Sequence, residues 1–290
     1  MVLDSKTMGE ICKFVKLKPR TVQEISILLK KNWRTAERYI EKISEETGCI
    51  KTRIFRGGTR GALKIVYWNM LDDIHSTSFQ EELLEEIMKG KRRSDFSPFD
   101  IYQYIEDEKK QAHIEDATMI DTDIEISKQQ DLITALRNAQ KQILIFSGNL
   151  SWINSHQQGT PIINIIKEIA MRKIPIKIIA RVSIVGAQNV DRLLSINKEV
   201  GRDIIEIRHR YQPLRAIVID NKVVKMRELR EPIFYRYGEL KKKVEVFYDI
   251  YDPEWAEWLQ KVFWKMYTKA LPAPKRIKEI EKIQNKILLS

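Results

Sequence analysis

Residues 21–69 run TVQEISILLKKN, WRTAERYIEKISEETG, CIKTRIFR, GGTRG and ALKIVYWN in uninterrupted order. Apolar residues recur every three or four positions in the first two segments, which predicts two helices, and the third and fifth segments predict strands joined by a glycine-rich turn. Thr21 and Glu24 have the spacing of a capping box at the start of the first helix, and Gly48 is placed to end the second. The order is that of a helix-turn-helix followed by a β-hairpin, the wing.

The apolar faces of the two helices decide which side chains stay available to a partner. We expect burial of Val22, Ile25, Leu28 and Leu29 in the first helix and of Trp33, Ala36, Ile40 and Ile43 in the second. The side chains left pointing outward from the second helix are then Arg34, Thr35, Arg38, Glu41 and Lys42. Residues 5–17 predict a supporting helix that begins with a second capping box, Thr7 and Glu10.

A basic helix face beside a basic hairpin is typical of winged DNA-binding domains, in which the helix enters the major groove and the wing lies along the backbone. The predicted contacts with double-stranded DNA are Lys31, Asn32, Arg34, Thr35, Arg38, Lys42, Arg53, Arg56 and Arg60. The alternative interpretation is an ordinary charged helix face in water. The combination of this helix with the arginine-bearing hairpin favours DNA.

The charge is distributed unevenly along the 290 residues, whose formal net charge is +11. Residues 1–69 carry 15 Lys/Arg against 7 Asp/Glu, residues 70–131 carry 7 against 17, and residues 132–290 carry 29 against 16. A positive field attracts polyanions, and phosphate neutralisation supplies most non-specific affinity for nucleic acid. Charge alone is weak support for DNA, but it agrees with the winged helix.

The two cysteines, Cys12 and Cys49, lack the paired spacing of a zinc site and the density of a disulfide scaffold. We interpret both as small buried apolar residues in a reducing cytoplasm. The sequence shows neither a signal core nor an 18-residue apolar run. We therefore expect a cytoplasmic protein with no membrane partner, no metal and no cofactor.

Composition and periodicity divide the chain into four predicted parts. Residues 1–70 form the α+β winged helix-turn-helix domain, and residues 71–126 form an acidic helical connector with one helix to Met88 and another from Phe99 towards Ile114. Residues 127–271 alternate helices with short apolar strands, which predicts an α/β domain with a largely parallel sheet covered on both faces. Residues 272–290 predict a detached terminal helix. The connector either pairs two subunits or links domains within one chain.

The α/β part resembles a phospholipase D-like domain, from the passage ending in FSGNLSW to the segment PLRAIVID. That superfamily's motif runs His, any residue, Lys, four residues, Asp. Here Pro213 stands in the histidine place, Arg215 in the lysine place and Asp220 in the aspartate place. The downstream Gly-Ser and Asn of the family fall at Arg227, Glu228 and Glu231. The resemblance therefore implies a degenerate, catalytically inactive domain.

A winged helix, a helical connector and a degenerate phospholipase D-like domain together resemble the TrmB-like archaeal transcription regulators. The resemblance implies a C-terminal domain that binds an effector or assembles the protein. Candidate ligand or anion contacts are Ser147, Asn149, Arg215 and Asp220, of which Ser147 and Asn149 follow a predicted strand where α/β ligands bind. The alternative is a turn at Ser147–Asn149 and a strand-end ion pair between Arg215 and Asp220.

The preferred hypothesis is a homodimeric DNA-binding transcription regulator with a small-molecule effector and no catalytic residues. A phosphodiesterase or nuclease tethered to DNA is the enzyme alternative, and a chromatin-like protein that coats DNA is the third. Catalysis of the family's kind needs a histidine nucleophile and a histidine acid. His209 has Tyr211 where a lysine would be required, and His156 follows the loop of the first predicted strand.

Overall fold

A computed structural model describes residues 3–17, 20–56, 62–68, 78–117, 131–234 and 243–288, although not every side chain within these ranges. Contacts divide the chain into two compact units, residues 1–75 and residues 76–290. Each unit is described by itself. None of the described helices is both long and apolar enough to cross a membrane.

The first unit has the predicted order of elements. Its elements are α1 (Ser5–Leu17), β1 (Arg20–Thr21), α2 (Val22–Leu29), α3 (Trp33–Thr47), β2 (Ile50–Arg56) and β3 (Ala62–Trp68). The strands form an antiparallel sheet in the order β1-β3-β2. The predicted helix-turn-helix and the two hairpin strands are confirmed, while the hairpin tip, residues 57–61, lies outside the described residues.

Local hydrogen bonds set the helix ends in this unit. Thr21 and Glu24 form the predicted capping box: Glu24 N donates to Thr21 Oγ1 at 3.1 Å, and Thr21 N donates to Glu24 Oε2 at 2.7 Å. Gly48 ends α3 with φ 65°, also as predicted. The predicted capping box at Thr7 is wrong, because α1 already begins at Ser5 and Asp4 Oδ1 accepts from Thr7 N at 2.7 Å.

The core of the first unit contains Ile11, Ile25, Ala36, Ile40 and Ile43, each fully buried. Three predicted core residues are not buried: Leu28 is 40 % exposed, Trp33 is 52 % exposed, and Leu29 is only partly buried. All three flank the turn between α2 and α3, beyond the part of the helix pair that packs on α1 and the sheet. Helical spacing identifies a face correctly but does not show where along the helix the packing ends.

The second unit contains ten described strands, eight of them in one sheet. Its elements are α4 (Ser78–Lys89), α5 (Phe99–Tyr102), β4 (Lys110–Asp116), α6 (Leu132–Arg137), β5 (Ile143–Phe146), β6 (His156–Gln157), β7 (Thr160–Pro161), α7 (Ile162–Met171), β8 (Ile176–Ala180), α8 (Ala187–Val200), β9 (Ile205–His209), β10 (Ala216–Ile219), β11 (Val223–Arg230), β12 (Val244–Ile250), α9 (Pro253–Tyr267), β13 (Leu271–Pro272) and α10 (Ala273–Leu288). The large sheet has the order β13-β9-β8-β5-β10-β11-β12-β4, and β6 pairs with β7.

The prediction of a largely parallel sheet is wrong. Among the described strands only β5 with β8 and β8 with β9 pair in parallel, and every other neighbouring pair in the large sheet is antiparallel. One cause is visible between β10 and β11, which only the three residues 220–222 connect, with Asp220 and Asn221 at φ angles of 56° and 59°. So short a turn can join only antiparallel strands.

The alternation of side chains along the strands places the core on both sides of the sheet. Ile143 and Ile145 of β5 pack into a cluster with α6, α7 and α8, whereas Phe146 faces α9 and meets Phe263 edge-on, with ring centroids 5.1 Å apart. The Trp-rich helix α9 is therefore part of the core, and Asp252 caps its start by accepting from Glu254 N at 2.8 Å.

The predicted helix from Phe99 towards Ile114 is wrong. Only the single turn α5 is helical, and β4 extends the sheet by pairing with β12, with Ile114 opposite Val246. Residues 78–117 therefore begin the second unit rather than form a separate connector. Strand pairing with β12, a contact distant in sequence, decides the conformation here.

The predicted detachment of the terminal helix is also wrong. Residues Leu271–Pro272 pair with β9, Ala273 at the start of α10 is fully buried, and Ile277 packs against the main core cluster. The first turns of α10 are therefore held on the second unit.

Candidate nucleic-acid interface and second-unit cavity

The outward face of α3 carries two arginines without carboxylate partners. Arg34 and Arg38 are exposed, lie one helical turn apart, and form no salt bridge among the described residues. Lys31 is exposed in the turn immediately before the helix. Like charges at this spacing repel each other by a few tenths of a kcal/mol, about 0.2–0.5. The pair is therefore suited to a negatively charged partner.

Most other charges near α3 are already paired within the unit. Lys64 Nζ on β3 lies 2.9 Å from Glu37 Oε1 and 3.1 Å from Glu41 Oε1. Burial acts to lower the pKa of Lys64, but hydrogen bonds to the two glutamates outweigh it and raise the pKa. Lys42 lies 3.4 Å from Glu46. These pairs neutralise the flank of α3 and leave its positive charge at Arg34 and Arg38.

The remaining predicted contacts on the helix have structural roles or lie elsewhere. Asn32 Oδ1 caps α3 by accepting from Thr35 N at 2.8 Å, so these two residues hold the helix start. Arg60 lies outside the described residues, as do the side chains of Arg53 and Arg56. Sequence reasoning missed the exposed Trp33, whose ring centroid is 5.7 Å from the Arg34 guanidinium carbon.

In the second unit, the loop after β5 uses the predicted polar residues to hold its own shape. Ser147 is buried, and its Oγ accepts from Leu150 N at 3.3 Å and from Trp152 Nε1 at 3.1 Å. Asn149 Oδ1 accepts from Ser151 N at 3.2 Å. The loop lies at the carboxyl ends of the parallel strands, because Ser147 N donates to Ile179 O at 2.8 Å.

Arg215 and Asp220 do not form the ion pair that was the alternative interpretation. They flank opposite ends of β10, and a strand advances roughly 3.3 Å per residue, so five steps separate them by about 16 Å. Asp220 instead accepts from Gln140 N, Lys141 N and Gln142 N at 2.7–2.9 Å. Its carboxylate therefore anchors the segment before β5, and it does not lie with the other candidate ligand contacts.

Arg215 is a partly buried guanidinium with no carboxylate partner among the described residues. Its Nη1 donates to the carbonyl of the neighbouring Leu214 at 2.7 Å. Burial, followed by the positive charges of Arg227, Arg93 and Arg181, lowers the pKa of Arg215 to about 10. An anion placed here would relieve both effects.

Two adjoining cavities meet at this arginine. One, of about 100 Å³, has apolar walls that include Leu132, Trp152 and Phe247, and the Ser147–Asn149 loop forms its polar edge. The other, of about 60 Å³, lies against Arg93. Arg215, Arg227 and Glu245 line both. The arrangement offers an apolar chamber with guanidinium groups at its boundary.

The arginine cluster assembles through a contact between segments distant in sequence. A Cβ added to Gly90 would lie 2.7 Å from Pro213 Cγ, so the segment after α4 packs directly on the residue before Leu214 and Arg215. This approach places Arg93 at the smaller cavity, where it also pairs with Glu231 at 3.1 Å. No spacing in the sequence could have identified Arg93.

The histidines discussed for catalysis are elsewhere. His209 Nδ1 accepts from Val182 N at 2.9 Å, and burial together with Arg276 lowers the pKa of His209. His156 lies in the short strand β6. Neither is among the described residues that line the two cavities. In the described part of the chain, no group of three His, Cys, Asp or Glu side chains is arranged to hold a metal ion.

No model of a known protein family matches the chain, and no curated protein matches it. Solved structures similar to it include Nuc from Salmonella typhimurium, a phospholipase D family member, at 13 % identity, over 56 % of this chain and 97 % of that chain, with a TM-score of 0.39. TrmBL2, titled an archaeal chromatin protein with a novel mode of DNA binding, is 14 % identical over 91 % of this chain and 93 % of its own, with a TM-score of 0.39.

A third similar structure is phosphatidylserine synthase from Haemophilus influenzae Rd KW20, at 13 % identity, over 62 % of this chain and 47 % of the synthase, with a TM-score of 0.36.

Proposed function

We propose that this chain is a DNA-binding transcription regulator whose helix α3 enters the major groove of duplex DNA. The observation that carries the proposal is the exposed Arg34–Arg38 pair, which has no carboxylate partner among the described residues, whereas the third basic residue of the helix, Lys42, pairs with Glu46. Arginine is the side chain best suited to guanine edges and to phosphates, because its planar donors bind two acceptors at once. The wing arginines of the sequence motif complete the proposed surface.

The test is a fluorescence anisotropy titration of duplex DNA with the full chain and with an Arg34→Ala/Arg38→Ala variant. The matched control is Lys13→Ala, which removes an exposed charge from α1 of the same unit. We expect the double variant to bind at least tenfold more weakly and the control to bind like the parent. Equal binding by all three proteins would refute the assignment of α3.

Competition with random DNA distinguishes a regulator of particular sites from a protein that coats DNA. A specific complex survives a large excess of random duplex because specific affinity typically exceeds non-specific affinity by about 10³ or more. We expect a footprint on genomic fragments that persists under this competition. Loss of every footprint to random DNA would favour the chromatin-like alternative.

We further propose a homodimer, supported by a single reading helix per chain. Two-fold proteins bind two half-sites about one helical turn apart, and pairing two weak readers raises the overall affinity. The expected footprint is palindromic. Light scattering that gave a monomer both free and on DNA would contradict this part of the proposal.

For the second unit we propose effector binding without phosphodiesterase activity. Pro213 can neither attack phosphorus nor carry a proton, and the described residues at the cavities include no histidine to replace it. The chambers around Arg215 suit a small organic anion with an apolar body. Incubation with DNA and a chromogenic phosphodiester, with and without divalent metal, should release no product. Cleavage lost in His156→Ala or His209→Ala would establish the enzyme instead.

A further inference from the structure

The first unit contains the chain's two cysteines in contact with each other. Cys12 lies on α1, Cys49 follows the glycine that ends α3, and their Sγ atoms are 3.3 Å apart. A disulfide requires an S–S distance of about 2.05 Å. The sulfurs therefore need to approach by only roughly 1.3 Å.

The surroundings of the pair favour one thiolate. Cys49 is 8 % exposed, and its Sγ lies 2.8 Å from Thr47 Oγ1. The hydrogen bond from Cys12 lowers the pKa of Cys49 to about 7, and the same shared proton raises the pKa of Cys12. Because the thiolate is the reactive form of cysteine, this arrangement differs from the inert buried thiols that the sequence analysis predicts.

We propose that Cys12 and Cys49 form an oxidative modification site that peroxides convert to an intramolecular disulfide. The Cys49 thiolate attacks one peroxide oxygen, the O–O bond breaks, and the oxygen that leaves takes up a proton as water. The resulting Cys49 sulfenic acid is attacked by Cys12, which forms the S–S bond and releases the second water. Two thiols and one hydrogen peroxide thus give one disulfide and two waters.

The positions of Cys12 and Cys49 in the chain determine how a disulfide between them would affect stability. The segment between Cys12 and Cys49 contains β1, α2 and α3, so the new bond would close a loop around the whole helix-turn-helix. Closing a loop of this kind restricts the unfolded chain and stabilises the folded one. Oxidation would therefore raise the resistance of the DNA-binding unit to unfolding. This inference does not depend on the proposed function.

The experiment treats the purified full chain with hydrogen peroxide and counts thiols in denaturant before and after reduction. We expect two titratable thiols per chain before treatment and none after, a mass lower by two hydrogens, and a Cys12–Cys49 cross-linked peptide in the proteolytic map. A reductant should restore both thiols. The thermal midpoint of the first unit should rise on oxidation and return on reduction.

The exposed Met171 serves as an internal control for general oxidation, because it gains oxygen without a specific site. Two free thiols at a peroxide dose that has already oxidised Met171 would overturn the proposal, and so would disulfide-linked dimers on a non-reducing gel. In Cys12→Ser, Cys49 should stop at a sulfenic acid that a nucleophilic probe traps. The peptide map of the parent decides the question if this variant does not fold.

Discussion

On α3 of the first unit, Arg34 and Arg38 are exposed and have no carboxylate partner in the described part of the chain, whereas Arg215 of the second unit is partly buried and has three other arginines near it. An arginine side chain therefore has a different role on α3 than at position 215. An exposed guanidinium keeps its hydration until a polyanion displaces it, so its binding depends steeply on salt. A partly buried guanidinium has lost part of its hydration, so it favours a small anion that fits the cavity, and salt screens that interaction less.

Charged side chains of the second unit also differ in whether they form an ion pair that stabilises the fold. Lys225 and Asp249 face each other on β11 and β12, 2.8 Å apart and only 5 % and 6 % exposed. Unlike Arg215, Lys225 has a carboxylate partner.

Asp249→Ala should reduce the free energy of unfolding by about 3–5 kcal/mol, because it leaves the buried Lys225 ammonium without a partner. Its matched control is Glu168→Ala, which breaks the half-exposed pair with Arg137 at 3.0 Å and should cost less than about 1 kcal/mol. Denaturant titration monitored in the second unit measures both. Similar costs for the two variants would mean that burial does not distinguish these pairs.

Arg38→Ala should weaken DNA binding by about 1–3 kcal/mol and change the preferred sequence if Arg38 contacts a base. Arg60→Ala in the wing should instead weaken all sequences alike and lower the slope of log affinity against log salt by about one. Anisotropy titrations at several salt concentrations separate the two outcomes. An unchanged affinity in both variants would mean that neither Arg38 nor Arg60 contributes to DNA binding.

Arg215→Met should change the stability of the unliganded fold least, by less than about 1 kcal/mol, because it removes a partly desolvated charge and keeps an apolar side chain of similar length. We expect inorganic phosphate or a small aromatic carboxylate to raise the thermal midpoint of the parent, and Arg215→Met should abolish that rise. Arg202→Met, an exposed arginine of the same unit, is the control and should keep that rise. Retention of the rise in Arg215→Met would place the anion elsewhere.

What the sequence predicted correctly depends on neighbours along the chain. Thr21 with Glu24, and Gly48, mark helix ends through bonds within four residues, and both predictions were confirmed. The same local chemistry acts at Asp252, which caps the start of α9, and at Gly201, whose φ of 72° ends α8. Local hydrogen bonding and periodicity are sufficient for such features.

What the sequence could not show depends on contacts between distant segments. β4 is a strand because β12 pairs with it, and nothing within Lys110–Asp116 alone excludes a helix. Arg93 reaches the cavity because Gly90 packs on Pro213, and Cys12 meets Cys49 across the helix-turn-helix. Of the four candidate ligand contacts, Ser147, Asn149 and Arg215 lie together while Asp220 is at the far end of β10, although the motif places it five residues from Arg215.

Gly148 lies against the Arg215 side chain, which limits how these two positions can vary in related sequences. A Cβ added at this position would lie 2.7 Å from Arg215 Nη2 and 3.0 Å from the guanidinium carbon. Any larger residue at 148 would have to displace the arginine side chain, whereas a shorter residue at 215 would free the space. We therefore expect positions 148 and 215 to vary together, with glycine wherever the arginine is present and larger side chains only where it has been lost.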